Sequence, residues 1–301
     1  MMNTEWIAVD WGTSNLRAWV FDQDGQTFQK LSSDQGMGTL ATDEFEAVLL
    51  SLIDPFLSDT KTPVICCGMV GAKQGWSEAP YATVPCAPPT ALTAVKVSAQ
   101  DPRLDVRTLP GLQQPEPADV MRGEETQIAG YLALNPNFDG TLCLPGTHTK
   151  WVQISAGEVV SFRTFMTGEL FALLSQHSVL RHSVGGSPDQ EAFKSAVQDA
   201  LARPQQLASR LFGIRANGLL HGTDQAASTG ALSGQLIGAE LAAAKPYWLG
   251  QAVTLIGDQS LCDLYAHGLN LMAVQPEVRV GDDLTLAGLM AAYRDLKGSV
   301  L

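Results

Sequence analysis

The sequence has few cationic residues and lacks the segments that would mark a membrane protein or a disulfide scaffold. Lys and Arg number 19 against 31 Asp and Glu, for a net charge of −12. This balance disfavours nucleic acid as a partner, because phosphate backbones need clustered cations. No apolar run approaches the ~18 residues of a membrane span, and the Met-Met-Asn-Thr-Glu start has no signal-peptide pattern. Five cysteines without a Cys-x-x-Cys pair argue against disulfides or a zinc site. We therefore expect a cytoplasmic protein that binds neither nucleic acid nor membrane.

The most informative segment is a predicted hairpin near the start of the chain. An apolar strand delivers Asp10, a turn of small polar residues follows (Gly12 to Asn15), and a second apolar strand carries Arg17. A Walker loop would instead lead into a helix and end in Gly-Lys-Ser/Thr. The glycine lets a ligand approach the backbone, while hydroxyl and N–H groups can donate to phosphate oxygens. We interpret the turn as a phosphate pocket and Asp10 as a ligand of hydrated Mg²⁺; an ordinary hairpin with an exposed acid is the alternative.

The same arrangement occurs a second time. An apolar strand ending at Leu144 meets Gly146-Thr-His-Thr149, and the chain leaves on a strand that carries Lys150. Both copies continue through another turn into a third strand, and such internal duplication implies two similar α/β halves. His148 is as well suited to donate to a phosphate or to the loop backbone as to act in catalysis. The length of 301 residues also allows about two domains.

Smaller signals define elements around the hairpins. Thr42 is a good N-cap for a helix whose buried stripe includes Phe45 and Leu49. The Asn135–Gly140 segment is the best linker, so we predict domains over residues 1–137 and 138–301. A last helix over 282–297 is expected to pack back on the first domain. Gly36-Met-Gly-Thr-Leu-Ala41 matches the dinucleotide fingerprint in form, but its polar flanks lack the strand-to-helix context of that motif.

The sequence resembles the 2-dehydro-3-deoxygalactonokinase family, which belongs to the sugar kinases of the actin, hexokinase and Hsp70 superfamily. The matching stretches span nearly the whole chain in order. They are Asp10–Trp19, Gly68–Ala72 with Gly75-Trp76, Ala79–Tyr81 with Val84-Pro85, Val120–Gln127, Pro145–His148 with Lys150–Val152, Phe162–Thr164 with Met166–Leu170, and Leu232–Gly234 with Leu236–Glu240.

The resemblance implies an α/β fold of two ribonuclease H-like domains, of the actin/hexokinase type, with mixed sheets flanking a nucleotide cleft. It implies ATP- and Mg²⁺-dependent phosphorylation of the 6-hydroxyl of 2-dehydro-3-deoxy-D-galactonate. Asp10 would hold the metal and Arg122 would lie near the sugar acid or the transferring phosphoryl group. The expected nucleotide-binding residues are Gly12, Thr13, Ser14, Asn15, Arg17, Gly146, Thr147, His148, Thr149 and Lys150, with Gly257 and Asp258 near the adenosine. The expected substrate residues are Met69, Gly71, Lys73, Trp76 and Arg122, with Tyr81 as a further candidate.

The general base is harder to assign. The family resemblance places it near the start of a helix, in the stretch Arg122-Gly-Glu-Glu-Thr-Gln127, with Glu in place of the usual Asp. Glu124 is the first choice, with Glu125 and Asp119 in reserve; alternatively, both glutamates only complement the positive end of the helix. Two other functions stay open, a kinase for 2-dehydro-3-deoxygluconate or a hexose, and an ATP-gated binding protein of the actin or Hsp70 type. The sequence does not fix the oligomeric state, and a homo-oligomer stays possible.

Overall fold

The protein folds into two compact units, seen here in a computed structural model that describes residues 4–298. Of the described residues, one unit contains 4–138, Ala156–Val160 and Gly281–Gly298, and the other contains Asp139–Ser155 and Ser161–Val280. The strands are β1 Thr4–Trp11, β2 Leu16–Asp22, β3 Thr27–Ser33, β4 Thr62–Gly68, β5 Ala82–Thr83, β6 Val95–Lys96, β7 Leu104–Thr108, β8 Leu112–Gln114, β9 Asp119–Met121, β10 Gly140–Leu144, β11 Thr149–Ser155, β12 Glu158–Phe165, β13 Val253–Gly257 and β14 Glu277–Val280. The helices are α1 Phe45–Ile53, α2 Glu124–Leu134, α3 Thr167–His177, α4 Gln190–Ala202, α5 Leu207–His221, α6 Gln225–Ala243, α7 Lys245–Trp248, α8 Gln259–Asn270 and α9 Gly281–Gly298.

The first unit contains a six-stranded sheet with a helical layer on each face, and a smaller sheet ordered β5-β8-β9. Its strands are ordered β3-β2-β1-β4-β7-β6, with β1 antiparallel to β2 and parallel to β4. The apolar stripe of α1, including Phe45 and Leu49, packs with the residues of β1, β2 and β4 that point to one face. The residues that point to the other face, including Trp6, pack with Leu289 and Ala292 of α9. Because a strand alternates its side chains, β1 supplies both cores.

The second unit repeats this strand order. Its sheet runs β12-β11-β10-β13-β14, again with an antiparallel hairpin beside a parallel pair. Helices α4, α6 and α8 contribute Phe193, Leu241 and Tyr265 to a core that also contains Trp151 of β11. The two mixed sheets have the strand order of the ribonuclease H-like fold, as the family resemblance predicted. Within residues 4–298, no helix is both long and apolar enough to cross a membrane.

The start of α1 differs from its prediction. The helix begins at Phe45 rather than directly after Thr42, and residue 44 occupies the N-cap position without a side-chain capping bond. The reason is a local turn, since the Glu44 carboxylate accepts the N–H of Ala41 at 2.7 Å. This bond fixes residues 41–44 in a turn that precedes the helix.

Candidate active site

The first predicted phosphate loop is the exposed turn between β1 and β2. The N–H of Gly12 donates to the Asn15 carbonyl at 2.9 Å, which closes the turn, and the side chains of Thr13, Ser14 and Asn15 face solvent. Together with Asp10, Arg17 and Ser32 to Asp34 of the neighbouring strand end, these residues border an open depression of about 890 Å³. The loop thus presents hydroxyl and amide groups to a space that a ligand can enter.

A second loop braces this turn from behind. The N–H groups of Met37 and Gly38 donate to the carbonyls of Gly12 and Thr13, both at 2.9 Å. A Cβ at Gly36 would lie only 2.3 Å from backbone atoms of Thr13 and Ser14, so only glycine permits this approach. The Gly-x-Gly pattern that imitates a dinucleotide fingerprint therefore has a structural role, as a support for the hairpin.

Asp10 lies at the carboxyl end of β1, beside the end of the parallel strand β4. One carboxylate oxygen accepts from Arg17 at 2.5 Å, and the other lies 3.7 Å from the Cys67 thiol. Arg17 also pairs with Asp282 of α9 at 2.6 Å. Burial, together with the carboxylates of Asp10 and Glu125, raises the pKa of the Cys67 thiol. Because the charges of Asp10 and Glu125 both act on the Cys67 thiol, these carboxylates of β1 and α2 lie near one another at this edge of the sheet.

Helix α2 begins at that same edge. Its N-cap, Gly123, has a φ of 110°, and a Cβ there would lie 3.6 Å from Gly68 at the end of β4. Glu125 is fully buried and accepts the Gly123 N–H at 2.6 Å, whereas Glu124 is half-buried. Burial, assisted by the neighbouring Glu124, raises the pKa of Glu125 to about 8. The reserve candidate Asp119 lies on β9, where its carboxylate accepts the N–H of Val120.

The predicted substrate residues divide into two groups. Arg122 donates to the Ala79 carbonyl at 2.7 Å, stacks over the Tyr81 ring with its guanidinium carbon 4.4 Å from the ring centroid, and lies close to Gly71. Trp76, in contrast, packs against Trp11 and Phe45 at the edge of the core. Lys73 is exposed, and Met69 is half-buried in the turn after β4. Arg122 and Tyr81 thus form one cluster, whereas the ring contacts of Trp76 are with core residues.

The second predicted phosphate loop lies between β10 and β11. Thr147 and His148 are exposed, and His148 Nε2 lies 2.6 Å from the Glu169 carboxylate in the first turn of α3. Lys150 is buried, and its ammonium donates to the His148 carbonyl at 3.0 Å. The first turn of α3 therefore contacts this loop, and the buried Lys150 stabilises the loop backbone through its bond to the His148 carbonyl.

A largely apolar pocket of about 300 Å³ opens beside this loop. It is lined by Gly146, Thr167, Gly168, Phe171, Gly186, Pro188, Thr229, Ser233, Leu236, Ile237, Leu261, Leu264 and Tyr265. Gly257 lies beside Pro145, the residue that precedes the loop, since a Cβ there would be 3.2 Å from the Pro145 carbonyl oxygen. Asp258 is exposed and caps α8 by accepting the Leu261 N–H at 3.1 Å.

Sequence reasoning missed several residues at these sites, namely Cys67, Glu169, Thr167, Tyr265 and Glu240. Glu240 stands in a stretch that matches the family, but a glutamate in an apolar helix gives no sign of its partners. Its partners come from β11, α3 and α8, so only the folded chain identifies them.

Comparison with known proteins identifies the family. The 2-keto-3-deoxy-galactonokinase family matches residues 10–292, and the chain belongs to this family. It is 36% identical to the 2-dehydro-3-deoxygalactonokinase of Escherichia coli (strain K12), over 96% of this chain and 97% of that one. It is 40% identical to a Rhizobium meliloti (strain 1021) protein named "Probable 2-dehydro-3-deoxygalactonokinase DgoK1", over 96% of both chains.

Solved structures give the same grouping. A Sinorhizobium meliloti crystal structure carrying the same enzyme name superposes with a TM-score of 0.91 at 38% identity, over 97% of this chain and 99% of that one. Component A of (R)-2-hydroxyglutaryl-CoA dehydratase from Acidaminococcus fermentans superposes with a TM-score of 0.51 at 11% identity, over 97% and 98%, a likeness of fold alone. The fold is thus the two-domain actin/hexokinase type, as the sequence predicted.

Proposed function

We propose that this chain phosphorylates 2-dehydro-3-deoxy-D-galactonate at the 6-hydroxyl with ATP, giving the 6-phosphate and ADP, in cytoplasmic D-galactonate breakdown. The observation that carries the proposal is the extent of the family match. Residues 10–292 include both hairpin loops, Asp10 at the end of β1 and the two glutamates that open α2. The match therefore covers the loops proposed to bind phosphate and the carboxylates proposed to accept a proton, the two parts that a kinase needs.

Each hairpin loop is proposed to bind phosphate through its exposed hydroxyl groups. The exposed hydroxyl groups of Thr13 and Ser14 in one loop, and of Thr147 in the other, would donate to phosphate oxygens. The apolar pocket beside Gly146 suits the adenosine, because small-molecule sites combine apolar walls with a few polar groups. Gly257 and Asp258 would support this site from the turn before α8.

The residues at the end of β1 fit a magnesium ion. Residues 4–298 contain no cluster of three or more acidic, histidine or cysteine side chains placed to hold a metal. Mg²⁺ needs no such cage, because it retains waters and binds through one or two carboxylates plus phosphate oxygens. Asp10 would be its protein ligand, since the carboxylate borders the open depression by the first loop. When bound, the ion neutralises charge on the transferring phosphoryl group.

Proton transfer is assigned to Glu124. As the 6-oxygen of the sugar acid bonds to the γ-phosphorus of ATP, the bond from that phosphorus to the ADP oxygen breaks and Glu124 takes the hydroxyl proton. Glu124 is half-buried whereas Glu125 is completely buried, and this difference in exposure favours Glu124 as the residue that meets substrate. Arg122 would face the sugar acid or the transferring group, and Met69, Gly71, Lys73 and Trp76 are the other substrate residues proposed.

A coupled ADP-release assay over a panel of 2-oxo-3-deoxy sugar acids and neutral sugars tests the proposal. We expect the fastest turnover with 2-dehydro-3-deoxy-D-galactonate, because the family match predicts that substrate. If turnover is fastest with 2-dehydro-3-deoxygluconate or with a hexose, that compound would replace 2-dehydro-3-deoxy-D-galactonate as the proposed substrate. ADP release that is independent of every sugar would favour an ATP-gated binding protein instead.

Asp10→Asn tests the metal assignment. We expect kcat to fall by about 10²-fold or more with the fold intact. The reason is that the amide would hold Mg²⁺ poorly, and the charge on the transferring phosphoryl group would no longer be neutralised. Circular dichroism checks the fold, and Asp24→Asn, in the exposed turn after β2, is the matched control with unchanged turnover. Near-wild-type turnover by folded Asp10→Asn would remove Asp10 from the mechanism.

A further inference from the structure

Glu240 of α6 is a buried carboxylate that the proposed mechanism leaves without a role. Only 3% of the residue is exposed, yet it accepts three hydrogen bonds from three different elements. Trp151 Nε1 of β11 donates at 2.7 Å, Tyr265 Oη of α8 donates at 2.8 Å, and Thr167 Oγ1 of α3 donates through a short bond. Burying a carboxylate is costly unless hydrogen-bond donors surround it. The three donors therefore compensate for the burial of Glu240.

The directions of these bonds link Glu240 to the second phosphate loop. Burial raises the pKa of Glu240 to about 7, so the ionised form predominates above that pH. In that form the carboxylate only accepts, and the single Tyr265 proton is committed to Glu240. At the 2.9 Å contact between Tyr265 Oη and Thr149 Oγ1, Thr149 must therefore be the donor. Thr149 Oγ1 in turn accepts a longer bond of 3.4 Å from the Gly146 N–H. A one-way chain of donors thus runs from the loop through Thr149 and Tyr265 to Glu240.

The same carboxylate is also hydrogen-bonded to residues of the apolar pocket. Two of its donors, Thr167 and Tyr265, line that pocket, as does Gly146 at the far end of the donor chain. Thr167 opens α3, the helix that rests on the loop through Glu169 and His148. Glu240 itself lines neither the loop nor the pocket. It therefore acts on both through other residues.

We propose that Glu240 is a positioning residue for the nucleotide: through Tyr265, Thr149 and Thr167 it holds the second phosphate loop and the pocket wall in the binding conformation. This inference rests on the nucleotide site of the proposed function and adds a residue to it. A fixed chain of donors orients the loop before the ligand arrives, so less ordering is needed on binding.

Glu240→Gln is the informative variant. The amide keeps the size of the side chain and an acceptor for Trp151, but its NH₂ group donates where the carboxylate oxygen accepted from Tyr265 and Thr167. We expect the Kd for ADP, measured by calorimetry, and the KM for ATP to rise by about tenfold or more, with KM for the sugar acid unchanged. Ser228→Ala, at a buried serine of the same helix outside this network, is the control and should leave all three unchanged.

Tyr265→Phe separates positioning from general packing. It keeps the ring that lines the pocket but cuts the connection between Glu240 and Thr149, so the Kd for ADP should again rise. The double variant should bind ADP no more than about twofold more weakly than Glu240→Gln alone, because both changes break one chain. If Glu240→Gln does not fold, the Kd of Tyr265→Phe for ADP alone tests the proposal. Wild-type affinity in the folded variants, or fully additive losses, would overturn this inference and leave the proposed function standing. Wild-type protein that binds neither ADP nor ATP would overturn both.

Discussion

Two adjacent glutamates at the start of α2 show how one residue step changes the chemistry of a carboxylate. Neighbouring helical residues point about 100° apart, so the two side chains have different surroundings. Glu125 is turned into the protein, where it accepts the Gly123 N–H and burial raises its pKa to about 8. Glu124 is half-buried. The contrast favours a structural role for Glu125 and leaves Glu124 as the proposed base.

This contrast gives a prediction at the residue scale. Glu124→Gln should lower kcat by at least about two orders of magnitude with little change in nucleotide affinity, since a positioned base contributes 10²–10⁴-fold. Glu125→Gln should cost much less in kcat. Steady-state kinetics of both variants decide the question. A reversed order would transfer the role to Glu125, and two active variants would direct attention to Asp119.

At the scale of elements, the packing of α3 against the second predicted phosphate loop depends on a glycine. A Cβ at Gly168 would lie 2.4 Å from the Gly146 carbonyl oxygen and 2.9 Å from Thr147 Cα, so any side chain must displace the loop or the helix. Gly168→Ala should therefore raise the KM for ATP and lower stability by about 1–3 kcal/mol. Steady-state kinetics at varied ATP concentration measure the KM, and thermal melting measures the stability.

A second helical glycine supplies the control. In α5, a Cβ at Gly213 would meet no atom within 4 Å. Gly213→Ala should leave ATP kinetics unchanged and raise stability by about 0.5–1 kcal/mol, because alanine is the better helix former. Equal behaviour of the two variants would show that the contact between α3 and the loop is unimportant for binding.

The elements also show what a sequence can and cannot predict. Both hairpins were predictable, because alternating apolar strands around a Gly-led polar turn are local patterns. The first residue of α1 was not, because a single bond from Ala41 to Glu44 decides it. The partners of Glu240 lie 25 to 89 residues away along the chain, and no local pattern encodes such distances. The roles given to individual loop and pocket residues stay predictions.

At the scale of the whole molecule, Glu125 makes stability depend on pH. Its folded pKa of about 8 exceeds the ordinary 4.5, so the folded chain binds a proton that the unfolded chain releases. This contribution is complete below about pH 4.5 and is lost as pH rises toward 8. Relative to Glu125→Gln, the wild type should lose up to about 1.4 kcal/mol per pH unit across this window.

Urea unfolding of both proteins at intervals between about pH 5 and pH 8 measures this difference. Glu78→Gln, at an exposed glutamate of the same unit, should follow the wild type at every pH. A gap between wild type and Glu125→Gln that stays constant with pH would show that Glu125 is ionised throughout the window.

The position of α9 in the chain has a consequence for how the protein is made. Helix α9 covers one face of the first sheet with Leu289 and Ala292, yet it follows all of the second unit in sequence. As the polypeptide leaves the ribosome, β1 and β4 emerge early, while the helix that shields Trp6 and Ile65 does not yet exist. The second unit is nearly continuous in sequence and can close while synthesis proceeds. The unit that is synthesised first is therefore the one that completes its core last.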